Sequence, residues 1–166
     1  IDFKNIPDDN VMTSFDGDVI SALYDKLTEE FAEAVEKKKK PAQTIIIMDD
    51  ISWSGKLRQG SFNIVNKVFC NGRKHNISII LTSQFYHHIL PSCRCQASGI
   101  IIGNTSEKNL KSISDDNNYL ENEKEFKKMF RKYVVEKHDF LLINYSNKFK
   151  DMYMDKDFNV ISRMIP

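Results

Sequence analysis

The sequence has no apolar run as long as the roughly 18 residues of a membrane-spanning helix, and it has no recognisable signal peptide. Cysteine is also scarce. Cys70, Cys93 and Cys95 are an odd number without the spacing of a metal site, which indicates free thiols in a reducing compartment. A membrane-embedded protein and a disulfide-stabilised secreted domain are therefore not expected.

The chain also lacks a net charge that could attract polyanions over its whole surface. Its formal net charge is only +1, so any basic surface has to be local. A hydrophobic content of 41% and a charged content of 28% over 166 residues are typical of one ordinary globular domain. The sequence begins at Ile1 without an initiator methionine, and we expect the chain to be incomplete at its N-terminus.

The spacing of apolar residues predicts helices that alternate with buried strands. The first helix is expected from Val19 to about Lys38, after an N-cap at Asp16 or Asp18. Further helices are predicted over 62–71, 108–114 and 121–137, strands over 44–48, 76–84, 99–104 and 139–146, and a hairpin over 150–161. Nearly continuous apolar strands between helices favour an α/β fold, a three-layer sandwich whose sheet is mainly parallel and covered on both faces.

The stretch TIIIMDD, residues 44–50, carries a hydrophobic strand directly into two carboxylates. Acidic residues can simply solvate a strand end, or they can hold Mg²⁺ and orient an attacking water. Polar residues also follow the next two strands, at Thr82–Gln84 and at Asn104–Thr105. Because ligands bind beyond the carboxyl ends of parallel strands, we expect Asp49, Gln84 and Asn104 at one edge, which favours the chemical interpretation.

Four consecutive lysines, Lys37–Lys40, end the first helix. Cations are favourable at a helix C-terminus because they interact with the helix dipole, so a solvated helix end is the simpler interpretation. A contact with DNA is the alternative, and the same run is able to serve both purposes.

The ordered set IIIMDD, NGRKHNIS, LTSQ and HDFLLINYS resembles the genome-packaging ATPases of large double-stranded DNA viruses. These are poxvirus-type members of the FtsK–HerA superfamily of P-loop motors, and the resemblance runs from about residue 40 to residue 150. It implies a P-loop NTPase core of the RecA-like (ASCE) type and ATP-driven movement of viral double-stranded DNA into a preformed capsid. It also implies a homo-oligomeric ring, capsid or vertex proteins as partners, and a location in virions and at assembly sites in the host cytoplasm.

The resemblance also implies roles for individual residues. Asp49 takes the place of the Walker B aspartate that holds Mg²⁺ and, with Asn104, contributes to ATP binding. Asp50 stands where a carboxylate polarises the attacking water, although many P-loop ATPases have the longer glutamate there. Gln84 matches a polar sensor of the γ-phosphate or the water. Arg73 resembles an arginine inserted into a neighbouring subunit's site, a role for which a guanidinium is suited; the competing candidate is Arg94.

One family motif is missing from the sequence. No G-x-x-x-x-G-K-[ST] phosphate-binding loop occurs, and SGKL at Ser54–Leu57 lacks its first glycine and its terminal Ser or Thr. We therefore expect residues 1–166 to be the C-terminal portion of one P-loop domain, from the Walker B strand onward, and to be inactive alone. The alternative is a non-catalytic DNA-binding or capsid-docking module with a degenerate ATPase fold. A different P-loop enzyme, such as a helicase, would share the acidic strand end but not the other segments.

Overall fold

The computed structural model describes residues 6–50 and 64–161. Ser54–Leu57 lies outside these residues. The chain divides into two compact units, Ile1–Gln84 and Phe85–Pro166. In the described part of the chain, no helix is both long and apolar enough to cross a membrane.

In the first unit, helix α1 spans Gly17–Glu36. Its N-cap is Asp16, whose carboxylate accepts hydrogen bonds from the backbone N–H groups of Asp18 and Val19, as expected from the sequence. The helix buries Ile20 and Tyr24. At the other end, the Lys37 ammonium donates to the Glu33 carboxylate at 2.6 Å.

Strands β1 (Thr44–Met48) and β2 (Ile77–Leu81) pair in parallel. The register aligns Thr44 with Ile77 and Met48 with Leu81, and a backbone bond from Thr82 N to Met48 O at 3.0 Å extends it. The prediction of a parallel sheet is therefore confirmed for this pair. Burial on both faces is not found in the described residues, since Ile45, Ile47 and Ile80 are exposed while Ile46 and Met48 are buried.

Helix α2 (Ile64–Asn71) leads into a 3₁₀ turn, Gly72–His75, just before β2. Glycine suits position 72 because a Cβ there would lie 3.1 Å from the carbonyl oxygen of Ile77, closer than most Cβ contacts in proteins. The imidazole of His75 makes edge contacts with the rings of Tyr24 and Phe31, at centroid distances of 6.2 and 5.5 Å. The turn is thus packed firmly against α1.

The second unit contains three short strands, β3 (Gly99–Ile102), β4 (Leu141–Asn144) and β5 (Tyr153–Met154). Its helices are α3 (Pro91–Gln96), α4 (Glu107–Asn117) and α5 (Glu123–Tyr133). The strands pair in the order β3–β4–β5, and both pairings are antiparallel. A mainly parallel sheet is therefore wrong for these strands, because an apolar run reports burial and carries no information about strand direction.

The core of the second unit lies between its sheet and helix α5. Phe126 and Phe130, one helical turn apart, belong to the same buried cluster as Leu141, Ile143 and Tyr153. These side chains are at most 3% exposed, so this cluster supplies most of the hydrophobic stabilisation of the unit.

Asp139 closes the turn between α5 and β4. Its carboxylate accepts hydrogen bonds from Val135 N at 3.1 Å, from Glu136 N at 2.8 Å and from the Lys156 ammonium at 2.8 Å. The ammonium of Lys156, followed by the backbone N–H of Glu136, lowers the pKa of Asp139 from 3.8 to about 2.

The lowered pKa predicts a pH-dependent contribution to stability. The carboxylate of Asp139 stabilises the fold fully above its unfolded pKa of 3.8, and the contribution is lost as pH falls toward 2. Asp139→Asn should therefore lower the urea concentration at the midpoint of unfolding near pH 7. Below about pH 4 the midpoints of the variant and of the unaltered chain should approach each other. Urea titrations followed by circular dichroism measure both effects. Asp157→Asn, at an exposed aspartate next to Lys156 in the turn after β5, is the control; an equal, pH-independent loss in both variants would contradict the assignment.

Candidate functional site

The carboxyl ends of β1 and β2 bring together four polar residues of the first unit, Asp49, Asp50, Thr82 and Gln84. The parallel register continues one step beyond the strands, so Asp49, which follows Met48, lies beside Thr82, which follows Leu81. We call these four residues the acidic edge. Their proximity follows from the sheet, because strand ends in a parallel pair lie at the same edge.

Thr82 joins the two aspartates through its hydroxyl group. The Thr82 hydroxyl donates a short hydrogen bond to Oδ1 of Asp49 and accepts one from the backbone N–H of Asp50 at 3.0 Å. A hydroxyl can donate and accept at once, whereas an apolar side chain of the same shape can do neither. Thr82 therefore fixes the Asp49 carboxylate and the Asp50 backbone together.

Gln84 holds the second carboxylate. Its side-chain amide donates to Oδ2 of Asp50 at 2.8 Å. The two carboxylates are thus oriented by two different residues of the neighbouring strand end, and each retains oxygen lone pairs for a further ligand.

The backbone of Asp50 adopts a left-handed conformation, with φ at 46°. Residues other than glycine rarely adopt positive φ, although aspartate tolerates it better than most. Such strain persists where the surrounding structure holds it, and it occurs often at ligand sites. Here the hydrogen bonds from Gln84 and to Thr82 hold the residue in place.

The donor set of the acidic edge fits Mg²⁺. Carboxylate and hydroxyl oxygens are the hard ligands that Mg²⁺ prefers, and the ion usually binds one or two carboxylates together with waters and substrate phosphates. Asp49 is exposed and Asp50 is half-buried, so both are accessible from solvent. Among the described residues, no cluster of three or more His, Cys, Asp or Glu forms an all-protein metal cage.

Arg73 lies at the other end of strand β2. It belongs to the 3₁₀ turn that precedes the strand, and its side chain is exposed. The five residues of β2 separate it from Thr82, a rise of about 16 Å. Arg73 therefore cannot reach the acidic edge of its own chain.

Arg94 is held within the second unit. Its guanidinium forms a short ion pair with Asp116, lies 4.6 Å from the ring centroid of Tyr86, and is 18% exposed. The Tyr86 hydroxyl donates to the same Asp116 carboxylate at 3.0 Å, and burial raises the pKa of this phenol. These contacts give Arg94 a structural role, so the described geometry favours Arg73 over Arg94 as an arginine able to approach another molecule.

Asn104 follows β3 in the second unit and is exposed. Its neighbours Thr105 and Ser106 serve the start of helix α4: the Ser106 side chain caps the helix through Asn109 N at 3.3 Å, and Thr105 accepts from the Asn109 amide at 3.2 Å. Because β3 pairs with β4 and not with β1 or β2, its polar end no longer implies a place at the acidic edge. The role of Asn104 in nucleotide binding stays a prediction.

Thr82 is the site residue that the sequence patterns did not single out. The polar triplet Thr82–Ser83–Gln84 was visible as a strand end, but a threonine there is unremarkable by itself. The informative signal would have been the register, because aligning the last apolar residues of TIIIM and ISIIL places Thr82 opposite Asp49.

A protein-family model described as "Poxvirus A32 protein" matches residues 18–159. No curated protein sequence matches the chain.

The fold is similar to that of solved viral packaging proteins. The DNA-packaging ATPase B204 from Sulfolobus turreted icosahedral virus has a TM-score of 0.51 at 20% identity, with 75% of this chain and 57% of that structure covered. The genome-packaging NTPase B204 from Sulfolobus turreted icosahedral virus 2, in complex with ATP-γS, has a TM-score of 0.57 at 17% identity, covering 82% and 60%. The chain thus spans about three fifths of the length of these structures.

Proposed function

The chain belongs to the poxvirus A32 protein family, and we propose that it carries the metal-binding and water-activating side of an ATPase that moves viral double-stranded DNA into a preformed capsid. The observation that carries this proposal is the acidic edge. Two adjacent carboxylates at the end of one parallel strand are held by a hydroxyl and an amide from the end of the next. Phosphoryl transfer depends mainly on positioning and electrostatic stabilisation; this arrangement fixes the positions of the two carboxylates, and a Mg²⁺ ion held by Asp49 would supply the positive charge.

Within this site, Asp49 would hold Mg²⁺ and so contribute to ATP binding. When bound, the ion neutralises charge on the phosphates. Thr82 orients the Asp49 carboxylate, as partners of metal ligands commonly do. Asp50 would accept a hydrogen bond from the attacking water, and Gln84, already bonded to Asp50 at 2.8 Å, would contact that water or the γ-phosphate.

The finer architecture is also part of the proposal. The two parallel strands would belong to a three-layer P-loop core of the RecA-like type, with Asn104 contributing to nucleotide binding. The intact protein would act as a homo-oligomeric ring that contacts duplex DNA and capsid or vertex proteins, in virions and at assembly sites in the host cytoplasm.

One observation favours a second candidate function. The sequence of 166 residues contains no G-x-x-x-x-G-K-[ST] motif. A non-catalytic DNA-binding or capsid-docking module would keep the sheet without needing that loop. Hydrolysis by the intact protein distinguishes the two functions.

Asp50→Asn tests the catalytic assignment. Asparagine keeps the size of the side chain but removes the charge that polarises water, so turnover of ATP by the intact protein should fall by about 10²–10⁴ while nucleotide binding stays nearly unchanged. Steady-state hydrolysis and equilibrium binding of a fluorescent nucleotide measure the two properties. Asp115→Asn, at an exposed aspartate of the second unit, is the matched control. Unchanged turnover in Asp50→Asn would refute the role, and the 166-residue chain alone should show no hydrolysis.

Arg73 is proposed to act in the site of a neighbouring subunit. It is exposed and lies at the edge of the sheet opposite the acidic edge, so in a head-to-tail contact Arg73 could approach the acidic edge of the adjacent copy. Arg73→Ala should reduce turnover by about 10³–10⁵, the range found for arginine fingers.

Mixed assemblies test whether Arg73 acts in trans. Subunits with Arg73→Ala retain Asp50, and subunits with Asp50→Asn retain Arg73, so a mixture should recover part of the hydrolysis that each variant lacks. Activity is measured across mixing ratios after confirming mixed assembly by native mass spectrometry. If mixed assemblies form and activity stays at background, the assignment fails and Arg94→Ala becomes the next variant to examine.

A further inference from the structure

Four lysines gather at the edge of the first unit that lies opposite the acidic edge. Lys38, Lys39 and Lys40 follow helix α1 and precede β1, while Lys74 lies in the 3₁₀ turn that precedes β2. Because β1 and β2 are parallel, the segments that precede them lie at the same edge of the sheet. We call these four residues the basic edge.

The packing around the start of the strands keeps the basic edge compact. The backbone N–H of Thr44 donates to the carbonyl of Asn76 at 3.0 Å. Lys38 is six residues from Thr44 and Lys74 is two residues from Asn76, so chain length alone keeps the Cα atoms of the basic edge within about 35 Å of each other. That span is about one turn of B-form DNA, which is about 34 Å.

All four lysines are exposed, and none forms an ion pair with another residue that the structure describes. The end of α1 uses the backbone of two of them, since the N–H groups of Lys38, with φ at 52°, and Lys39 donate to the carbonyls of Val35 at 3.0 Å and Ala34 at 2.8 Å. Helix-dipole effects fade within one turn, so they do not account for Lys40, and Lys74 lies on another element. A solvated helix end therefore explains part of the run Lys37–Lys40 but not the placement of Lys40 and Lys74 at one edge of the sheet.

We propose that the basic edge binds the phosphate backbone of duplex DNA. The identity of the polyanion rests on the proposed packaging function, while the site itself rests on four clustered lysines that form no ion pair with a described residue. Lysine supplies a compact charge without base-specific geometry, which suits a contact that has to hold any sequence as DNA moves. The acidic edge of a neighbouring copy is a poorer partner for these lysines than DNA is. Its two carboxylates are proposed to bind the metal and the water, and Arg73 is the cation proposed to approach them.

The test is the salt dependence of DNA binding. The full chain and a variant carrying Lys38→Gln, Lys39→Gln, Lys40→Gln and Lys74→Gln are titrated into a fluorescent 30-base-pair duplex, with anisotropy measured between about 50 and 200 mM salt. Each phosphate contact contributes about 0.9 to the slope of log K against log salt, so the variant should lose about 3 to 4 from the slope.

The control variant carries the same loss of charge elsewhere. Lys124, Lys128, Lys148 and Lys150 are exposed residues of the second unit, and replacing all four by glutamine should change the slope by less than about 1. Circular dichroism checks that both variants are folded.

Three results would overturn the proposal. The unaltered chain could fail to bind the duplex at about 50 mM salt, the slope of log K against log salt could fall equally in the basic-edge variant and the control variant, or that slope could stay unchanged in the basic-edge variant. An unchanged slope with weakened self-association in sedimentation would instead assign the edge to a second copy. Failure of the proposed packaging function can be told apart from failure of the DNA site, because ATP hydrolysis by the intact protein is measured without DNA. If the basic-edge variant has a smaller salt slope and the intact protein hydrolyses ATP, both proposals are supported. If the slope is smaller but the intact protein does not hydrolyse ATP, only the DNA site is supported.

Discussion

The hydroxyl of Thr82 is the interaction on which the candidate site depends. It donates to the Asp49 carboxylate and accepts from the Asp50 backbone, so together with the bond from Gln84 to Asp50 it connects the ends of the two paired strands. The unusual backbone of Asp50 is held by this contact and by Gln84. Without it, the Asp49 carboxylate would lose the hydrogen bond that orients it and the Asp50 backbone would lose an acceptor, so a metal ion would meet a less fixed geometry.

The parallel pairing of β1 and β2 separates charge along the first unit. Carboxylates follow the strands, and the cations Arg73, Lys74 and Lys38–Lys40 precede them. A net charge of only +1 hides this division, because 24 Lys and Arg and 23 Asp and Glu nearly cancel over the whole chain. One short sheet thereby presents opposite charges at its opposite edges, the feature on which the proposed contacts with a neighbouring copy and with DNA rest.

The proximity of Asp49, Asp50 and Gln84 could be predicted from the sequence, because polar residues follow two apolar strands and the ends of parallel strands lie at one edge. Helix α1 and strand β1 were also predictable, the first from its spacing and the Asp16 cap, the second from five consecutive strand-forming residues. Strand direction in the second unit was not, because direction is set by how chain segments pair over long sequence distances. The roles of Arg94 and Asp139 were hidden for a similar reason, since their partners Asp116 and Lys156 are distant in sequence.

The proposed function requires that Asp49, Asp50, Thr82 and Gln84 bind the metal ion and the nucleotide at the carboxyl ends of β1 and β2. Paramagnetic broadening by Mn²⁺ tests it most directly, measured by NMR on the isotopically labelled intact protein with a non-hydrolysable ATP analogue. The account predicts that the amide signals of these four residues broaden first, and that Asp49→Asn removes the effect. Broadening centred on other residues, or broadening that Asp49→Asn leaves unchanged, would contradict it.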